Sequence, residues 1–204
     1  MNRKYRTIAA ILLIAAATIA ALVWVRKLAK DQIQAGLTKT TEVAAGELRD
    51  RIQSFIAERI IALRQVGIFF ENSEEVTPAE FRDFAEKTVA NVPGFQAIEY
   101  VDGNYIIQRV YPLEENRLDY GHDLKTVADA DLLNRLNKSK ESGMVVFSDP
   151  TDLIQGGLGF TVYVPVFKTY KFEGFVRGVF RVEDLLSYLI SQEVEKRFSF
   201  DIKD

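Results

Sequence analysis

The chain has 204 residues, of which 48% are hydrophobic and 27% charged, with a formal net charge of -3. Its balance of 26 basic and 29 acidic residues argues against a nucleic-acid-binding protein, which normally presents a strongly basic face. There is no cysteine and one histidine, His122, so disulfide bonds, cysteine-ligated metals and multi-histidine metal sites are excluded. We expect no cofactor, no metal and no nucleic-acid partner.

An uninterrupted apolar run at residues 7–25 follows a short basic stub at residues 1–6. At about 1.5 Å of helical rise per residue, this run nearly crosses a hydrocarbon core of about 30 Å, which predicts a transmembrane helix. A cleaved signal peptide is the alternative, but the run is longer than a usual signal core and Arg26 and Lys27 follow it at once. Basic residues flank both sides equally, so charge does not decide the orientation. We expect a single-pass membrane protein with a cytoplasmic stub and an extracytoplasmic C-terminal domain.

Residues 26–69 have the pattern of one long stalk helix. Between residues 28 and 69 there is no proline, and apolar or small residues recur mostly at a spacing of four. A helix of this length needs a surface that buries its apolar stripe. Part of the stripe can lie on the domain's own sheet, and the rest predicts a parallel homodimer through the stalk. The alternative is a monomer that buries the whole stripe within one chain.

The next segment predicts a helix and a hairpin. Thr77-Pro78-Ala79-Glu80 is a capping box with proline at the first helical position, and it predicts a helix to about Val89. Asp102-Gly103 is a strong hairpin signal between predicted strands at residues 95–101 and 105–111.

A polar excursion follows, from Leu113 to Lys140. Within it, Thr126 with Asp129 can cap another helix, and Gly143 is expected to end that helix.

Three further strands are predicted at residues 145–147, 159–167 and 174–181, because these runs are rich in β-branched and aromatic residues. An apolar helical face begins directly after them. The order of elements predicts an α+β domain at residues 70–187, with a five-stranded antiparallel sheet and flanking helices. Residues 188–204 are predicted to continue the helix and to begin a further segment.

Motifs spread over residues 69–186 carry a family resemblance. They are Pro93-Gly94-Phe95, Ile98-Glu99, Gly121-His122-Asp123-Leu124, Ser142-Gly143, Ser148-Asp149-Pro150, Gln155-Gly156-Gly157, Val162 to Phe167, and Gly174 to Arg181. On these motifs the chain resembles the CHASE-type extracytoplasmic sensor domains, the class that includes plant cytokinin receptors. The resemblance implies a PAS-like fold, a small-molecule ligand, and a signal that passes through a second transmembrane helix to a cytoplasmic kinase or cyclase. A second transmembrane helix and a kinase or cyclase module are both missing from this sequence. We therefore expect a piece of a longer receptor or a chain that acts with another subunit.

The resemblance also implies a ligand-binding role for Asp123, since an aspartate at the matching position of cytokinin receptors hydrogen-bonds the ligand. The alternative is that Asp123 caps local backbone. From the residues themselves we add a set of candidates for a pocket between the sheet and the excursion: Tyr105, Phe147, Gly156, Gly157, Phe160, Tyr163 and Arg177.

Each of these candidates has a simpler interpretation. The aromatic residues would equally suit the sheet core, and the glycines would equally shape a turn, since no Lys-Ser or Lys-Thr pair follows them as in a phosphate-binding loop. Arg177 and Arg109 could each hold an anionic ligand or simply face solvent. No serine or threonine neighbours a histidine base and no metal-ligand spacing occurs, so we expect no enzyme. The leading hypothesis is a ligand-binding sensor, and the alternative is a structural or assembly subunit that packs through its long N-terminal helix.

Overall fold

The computed structural model describes Trp24, Arg26, Lys27 and residues 45–189. The chain divides into two compact units, Met1–Arg51 and Ile52–Asp204. In the first unit the described residues are all helical. Apart from Trp24, the predicted membrane segment lies outside the described residues, as do the stalk at residues 28–44 and the chain end at residues 190–204. Among the residues that are described, no helix combines the length and apolar character needed to span a bilayer.

The second unit is an α+β domain built on one antiparallel sheet, as predicted. Its elements are α1 (residues 52–72), α2 (Pro78–Asn91), β1 (Ala97–Asp102), β2 (Ile107–Tyr111), α3 (Leu124–Val127), α4 (Ala130–Ser142), β3 (Val146–Phe147), β4 (Thr151–Asp152), β5 (Leu158–Lys168), β6 (Lys171–Arg181) and α5 (residues 182–189). The strand order is β2-β1-β6-β5-β3, and β4 pairs with β5. Every strand pair is antiparallel.

The capping box at the start of α2 is confirmed. The Thr77 side chain accepts a hydrogen bond from the Glu80 amide at 3.3 Å, and the Glu80 carboxylate accepts one from the Thr77 amide at 2.9 Å. These reciprocal bonds satisfy two amides that an uncapped helix would leave without partners.

The β1–β2 hairpin is confirmed, but both strands are shorter than predicted. Tyr105 has a positive φ of 73°, which is a turn conformation, so the second strand starts at Ile107 and not at residue 105. The Asp102 carboxylate stabilises the turn by accepting hydrogen bonds from the amides of Asn104 and Ile106.

Two details of the excursion differ from the prediction. Asp129 caps α4, because its carboxylate accepts a hydrogen bond from the Leu132 amide at 2.7 Å. Thr126 is not a cap of this helix; it lies inside the short helix α3, which the sequence did not predict. Gly143 ends α4 in the left-handed conformation, as expected.

Within the described residues the sheet contains the five predicted strands and one more. The additional strand is β4, which pairs with the start of β5 through Thr151 and Asp152. The strands β5 and β6 also extend towards each other beyond the predicted ends. They meet at a two-residue turn, Thr169-Tyr170, in which both residues have positive φ. Such turns match the twist of antiparallel strands, but they usually contain glycine or asparagine, so no residue signal predicted this turn.

Each sheet face buries a separate hydrophobic cluster. The face that we call the α1 face contributes residues such as Ile98 and Phe180 to a cluster with Leu63 of α1 and Phe81 of α2. The opposite face, the α4 face, contributes residues to a cluster with the leucines of α3 and α4. The residues of this second cluster are Val101, Tyr105, Ile107, Val110, Leu124, Leu132, Leu136, Val146, Tyr163 and Phe175.

Candidate ligand site

A buried ion pair lies on the α4 face of the sheet. Glu99 of β1 is directly opposite Arg177 of β6, and strand alternation turns both side chains to the face that carries Val101 and Phe175. The Arg177 Nη1 donates a hydrogen bond to Glu99 Oε2 at 2.7 Å, and Glu99 is 0% exposed. Tyr163 of β5 pairs with Arg177 from the other side, and its ring centre lies 5.7 Å from the guanidinium carbon.

A second carboxylate, Asp119, approaches this pair from the segment at residues 112–123, which we call the cover segment. Asp119 is 2% exposed and accepts a hydrogen bond from the side-chain amide of Gln155. We refer to Glu99, Asp119 and Arg177 as the polar cluster. It places two carboxyl groups and one guanidinium group in an environment from which water is largely excluded.

Asn116 connects the cover segment by hydrogen bonds to Gln96, the residue before β1. Its side-chain oxygen accepts a hydrogen bond from Gln96 Nε2 at 3.1 Å, and its nitrogen donates one to the Pro112 carbonyl at 2.8 Å. Asn116 is fully buried, so both of its polar atoms depend on these protein partners.

Burial dominates the electrostatics of the polar cluster. Loss of water raises the pKa of Glu99 from 4.5 to about 7; the Arg177 charge opposes this rise and the Asp119 carboxyl adds to it. Burial by itself would lower the pKa of Arg177, but the neighbouring Glu99 carboxylate outweighs it and keeps the pKa of Arg177 above its ordinary value. Arg177 is therefore always charged, whereas Glu99 gains and loses its proton near neutral pH.

The polar cluster is incompletely hydrogen-bonded. Arg177 Nε is buried without a hydrogen-bond partner in the described part of the chain, and so is Glu99 Oε1 when Glu99 and the neighbouring Asp119 are both ionised. A buried charged group without a partner normally costs about 1–3 kcal/mol or more, so each such atom needs an explanation. A ligand with a matching donor and acceptor would supply the missing partners.

Of the predicted site residues, Arg177 belongs to the polar cluster and Tyr163 lies beside it. The expectation that Arg177 might face solvent is wrong, because its side chain is 13% exposed and bonded to Glu99. Arg109 is half-buried on the other face, where its guanidinium donates to the Gln108 carbonyl at 2.8 Å. An anion-binding role for either arginine stays a prediction.

Asp123 caps α3, since its Oδ1 accepts a hydrogen bond from the Lys125 amide at 2.9 Å. The capping interpretation is therefore confirmed, while a role of Asp123 in ligand binding stays a prediction. Tyr105 belongs to the core of the α4 face, and its hydroxyl donates a hydrogen bond to Asn137 Oδ1 at 2.7 Å.

The other predicted site residues lie apart from the polar cluster. Phe160 stacks on Phe180 with the ring centres 5.1 Å apart, so it belongs to the α1 face. Phe147 is 39% exposed at the end of β3. Gly156 and Gly157 both have φ of 84° in the turn between β4 and β5, which confirms the turn interpretation of these glycines.

Glu99 and Asp119 were not predicted as site residues. One signal was present: Glu99 lies in the middle of the apolar strand AIEYVD, where a charge is expected only if it has a partner. Asp119 had no such signal, because it lies in a polar segment in which a solvated aspartate would be ordinary.

A cavity of about 730 Å³ is lined in part by the cover segment. It is bounded by the start of α2, by β2 and by residues 112–115 and Tyr120. A second cavity, of about 310 Å³, lies near the end of α1 and is lined by Tyr100 and Lys168 among others. Of the residues that the sequence analysis considered for a ligand, Arg109 lines both cavities, and the polar cluster lines neither.

The fold is that of extracellular ligand-binding domains. An extracellular ligand binding receptor from Desulfohalobium retbaense superposes with a TM-score of 0.58 at 18% identity, over 72% of this chain and 26% of that one. The ligand binding domain of the Pseudomonas aeruginosa amino acid chemoreceptor PctC, in complex with GABA, gives 0.51 at 16% identity over 69% and 63%. That of the Pseudomonas fluorescens chemoreceptor CtaA, in complex with L-serine, gives 0.50 at 19% identity over 69% and 57%. The chain therefore spans less than two thirds of each of these structures.

The sequence profile described as CHASE domain matches residues 101–204, which is half of the chain. The chain belongs to the CHASE domain family, as the resemblance had implied. No curated protein sequence matches the chain.

Proposed function

We propose that the chain is the extracytoplasmic sensor part of a membrane-anchored receptor and that it binds a small polar molecule at the polar cluster. The observation that carries the proposal is the pair of fully buried Glu99 and largely buried Arg177, with one unpartnered buried atom on each side chain. Two sensor domains of similar fold are named as complexes with GABA and L-serine, which supports a small ligand that carries both donors and acceptors. The proposed activity is binding, without catalysis.

The ligand would reach the polar cluster by displacing the cover segment. Asn116 and Asp119 hold this segment in place through side-chain hydrogen bonds, and backbone hydrogen bonds join Gly121 and His122 at its end to Ile107 of β2. Residues 112–115 and Tyr120 line the 730 Å³ cavity, so displacement would have to occur in this first part of the segment.

Anchoring and output follow from the remainder of the sequence. The apolar run at residues 7–25 would hold the domain to the membrane, and the stalk would pair two copies as a parallel homodimer. The strands that carry the polar cluster also pack on α1, which continues the predicted stalk. A ligand that binds one arrangement of these strands more tightly would shift the equilibrium of the stalk, and a cytoplasmic module in the same receptor or in a partner would respond.

The test is a thermal-shift screen of the 204-residue chain against small polar metabolites, followed by titration calorimetry of each compound that raises the melting temperature. Two variants, Asp119→Asn and Arg177→Gln, address the polar cluster. Arg82→Gln is the matched control, because it also removes one guanidinium, lines the 730 Å³ cavity and has no predicted role in binding. We expect both cluster variants to weaken binding at least about thirtyfold, as loss of a buried charged hydrogen bond does, and the control to bind normally. A screen without any ligand, or a ligand that both cluster variants bind normally, would overturn the proposal.

A further inference from the structure

The polar cluster carries one more acid than base. Glu99 and Asp119 lie beside one guanidinium, that of Arg177, and beside the Tyr163 ring and the Gln155 amide. Arg181 lies further along β6 against Gly157, and His122 follows Asp119 in the cover segment; the charges that shift the pKa of Glu99 are those of Arg177 and Asp119. Arg177 donates to only one of the two Glu99 oxygens, and Glu99 Oε1 is left without a donor although Glu99 is fully buried.

We propose that the ligand of this site carries a protonated amine, which lies against Glu99 and Asp119 on the side away from Arg177. The inference rests on the proposed function and deepens it by naming the chemical class of the ligand. An ammonium group has three donors and one positive charge. It would therefore supply the donor that Glu99 Oε1 lacks and bring the cluster to two negative and two positive charges.

Ligands of other charge fit the cluster less well. A carboxylate without an amine would place a third negative group beside two acids in a site of low dielectric, which is strongly unfavourable. A neutral ligand could donate to Glu99 Oε1 but would leave the excess acid unbalanced. A ligand with both an amine and a carboxylate remains compatible, since Arg177 Nε is free to donate to an acceptor.

Without the ligand, a proton takes the place of the cation. Burial raises the pKa of Glu99 to about 7, and a protonated Glu99 can share its hydrogen with Asp119. Binding of an ammonium group favours the ionised form of Glu99, so binding below pH 7 releases a proton. The affinity for an amine should then rise about tenfold between pH 6 and pH 8, because the pKa of about 7 lies midway. A carboxylate that displaced Glu99 from Arg177 would show the opposite dependence.

The experiment titrates the 204-residue chain with the twenty protein amino acids, γ-aminobutyrate and putrescine, each beside its N-acetylated form, at pH 6, 7 and 8. We expect at least one free amine to bind, its acetylated form to bind at least about thirtyfold more weakly, and the affinity to increase with pH. Glu99→Gln should lower the affinity for the amine by a similar factor and remove the pH dependence of that affinity. The matched control is Glu86→Gln, which changes an exposed carboxylate on α2.

The outcomes separate this inference from the proposed function. If acetylated and free forms bind equally, if affinity falls as pH rises, or if no amine of the panel binds, the amine inference is overturned. If a non-amine from the metabolite screen binds and Asp119→Asn or Arg177→Gln weakens it, the site stands and only the ligand class is wrong. If an amine binds and the cluster variants have no effect on it, both the site and the inference are wrong. Circular dichroism of each variant excludes loss of the fold as the cause.

Discussion

Replacing the Glu99 carboxyl by an amide, Glu99→Gln, should change how the stability of the domain depends on pH. In the folded chain, burial raises the pKa of Glu99 from 4.5 to about 7, although Arg177 partly opposes this. Between these two values the folded chain holds a proton that the unfolded chain has lost. The contribution of Glu99 to stability is therefore fully present below pH 4.5 and is lost as the pH rises through 7.

The magnitude follows from the two pKa values. A rise from 4.5 to about 7, at about 1.4 kcal/mol per pH unit, corresponds to about 3 kcal/mol of unfolding free energy. Glutamine keeps the shape of Glu99, can accept from Arg177 and can donate to Asp119, but it does not ionise. The unfolding free energy of the native chain minus that of Glu99→Gln should thus fall by about 3 kcal/mol between pH 4.5 and pH 8.

Urea unfolding followed by circular dichroism at pH 4.5, 6, 7 and 8 measures this difference. Carboxyl groups away from the polar cluster titrate in the native chain and in the variant alike, so their contributions cancel. Glu86→Gln, on the exposed face of α2, should give a difference that stays flat over the same range. A flat difference for Glu99→Gln as well would refute the reasoning, because it would mean that Glu99 is already ionised at low pH in the folded chain.

Two further predictions concern the fold alone. Gly178→Leu should destabilise the domain by about 3 kcal/mol or more, because a Cβ at this position would lie 2.8 Å from a Leu63 methyl carbon. Gly46→Leu is the control, since no atom lies within 4 Å of its new Cβ. A similar loss of stability in both variants would contradict the packing argument. Thr77→Ala should lower the unfolding free energy by about 1 kcal/mol through loss of the α2 cap, and an unchanged urea midpoint would show that the capping box contributes nothing.

The features that the sequence predicted well have local causes. The capping box at Thr77 and the left-handed glycine at Gly143 each depend on a few neighbouring residues, so their signals are readable without the fold. The strand β4 and the Thr169-Tyr170 turn depend instead on pairing with β5 and β6. Neither segment has a strong local preference for its conformation, and long-range pairing determines both.

The candidate site shows the same division. Arg177 was recognisable as a charge in an apolar strand, but its partner Glu99 lies 78 positions earlier, and only the register of β1 against β6 brings the two together. One error was avoidable: Phe160 and Tyr163 are three positions apart on one strand, so alternation already places them on opposite faces. Asp119 reaches the polar cluster through a segment without regular structure, which no periodicity predicts.

The proposed signal depends on how the two faces of β1 and β6 are joined. Glu99 and Arg177 belong to the polar cluster, while their neighbours Ile98 and Gly178 pair with each other on the α1 face, where Leu63 lies against Gly178. Closely packed interiors transmit strain. A ligand that moved Glu99 relative to Arg177 would therefore also alter the packing of α1 on the sheet. An amine that replaces a proton at Glu99 does not bind equally to every arrangement of the cluster, and this difference in affinity is what a conformational shift requires. Gly178→Ala should therefore weaken the coupling between the ligand and the stalk more than it weakens ligand binding. Glu99→Gln, in contrast, should weaken ligand binding and the coupling together.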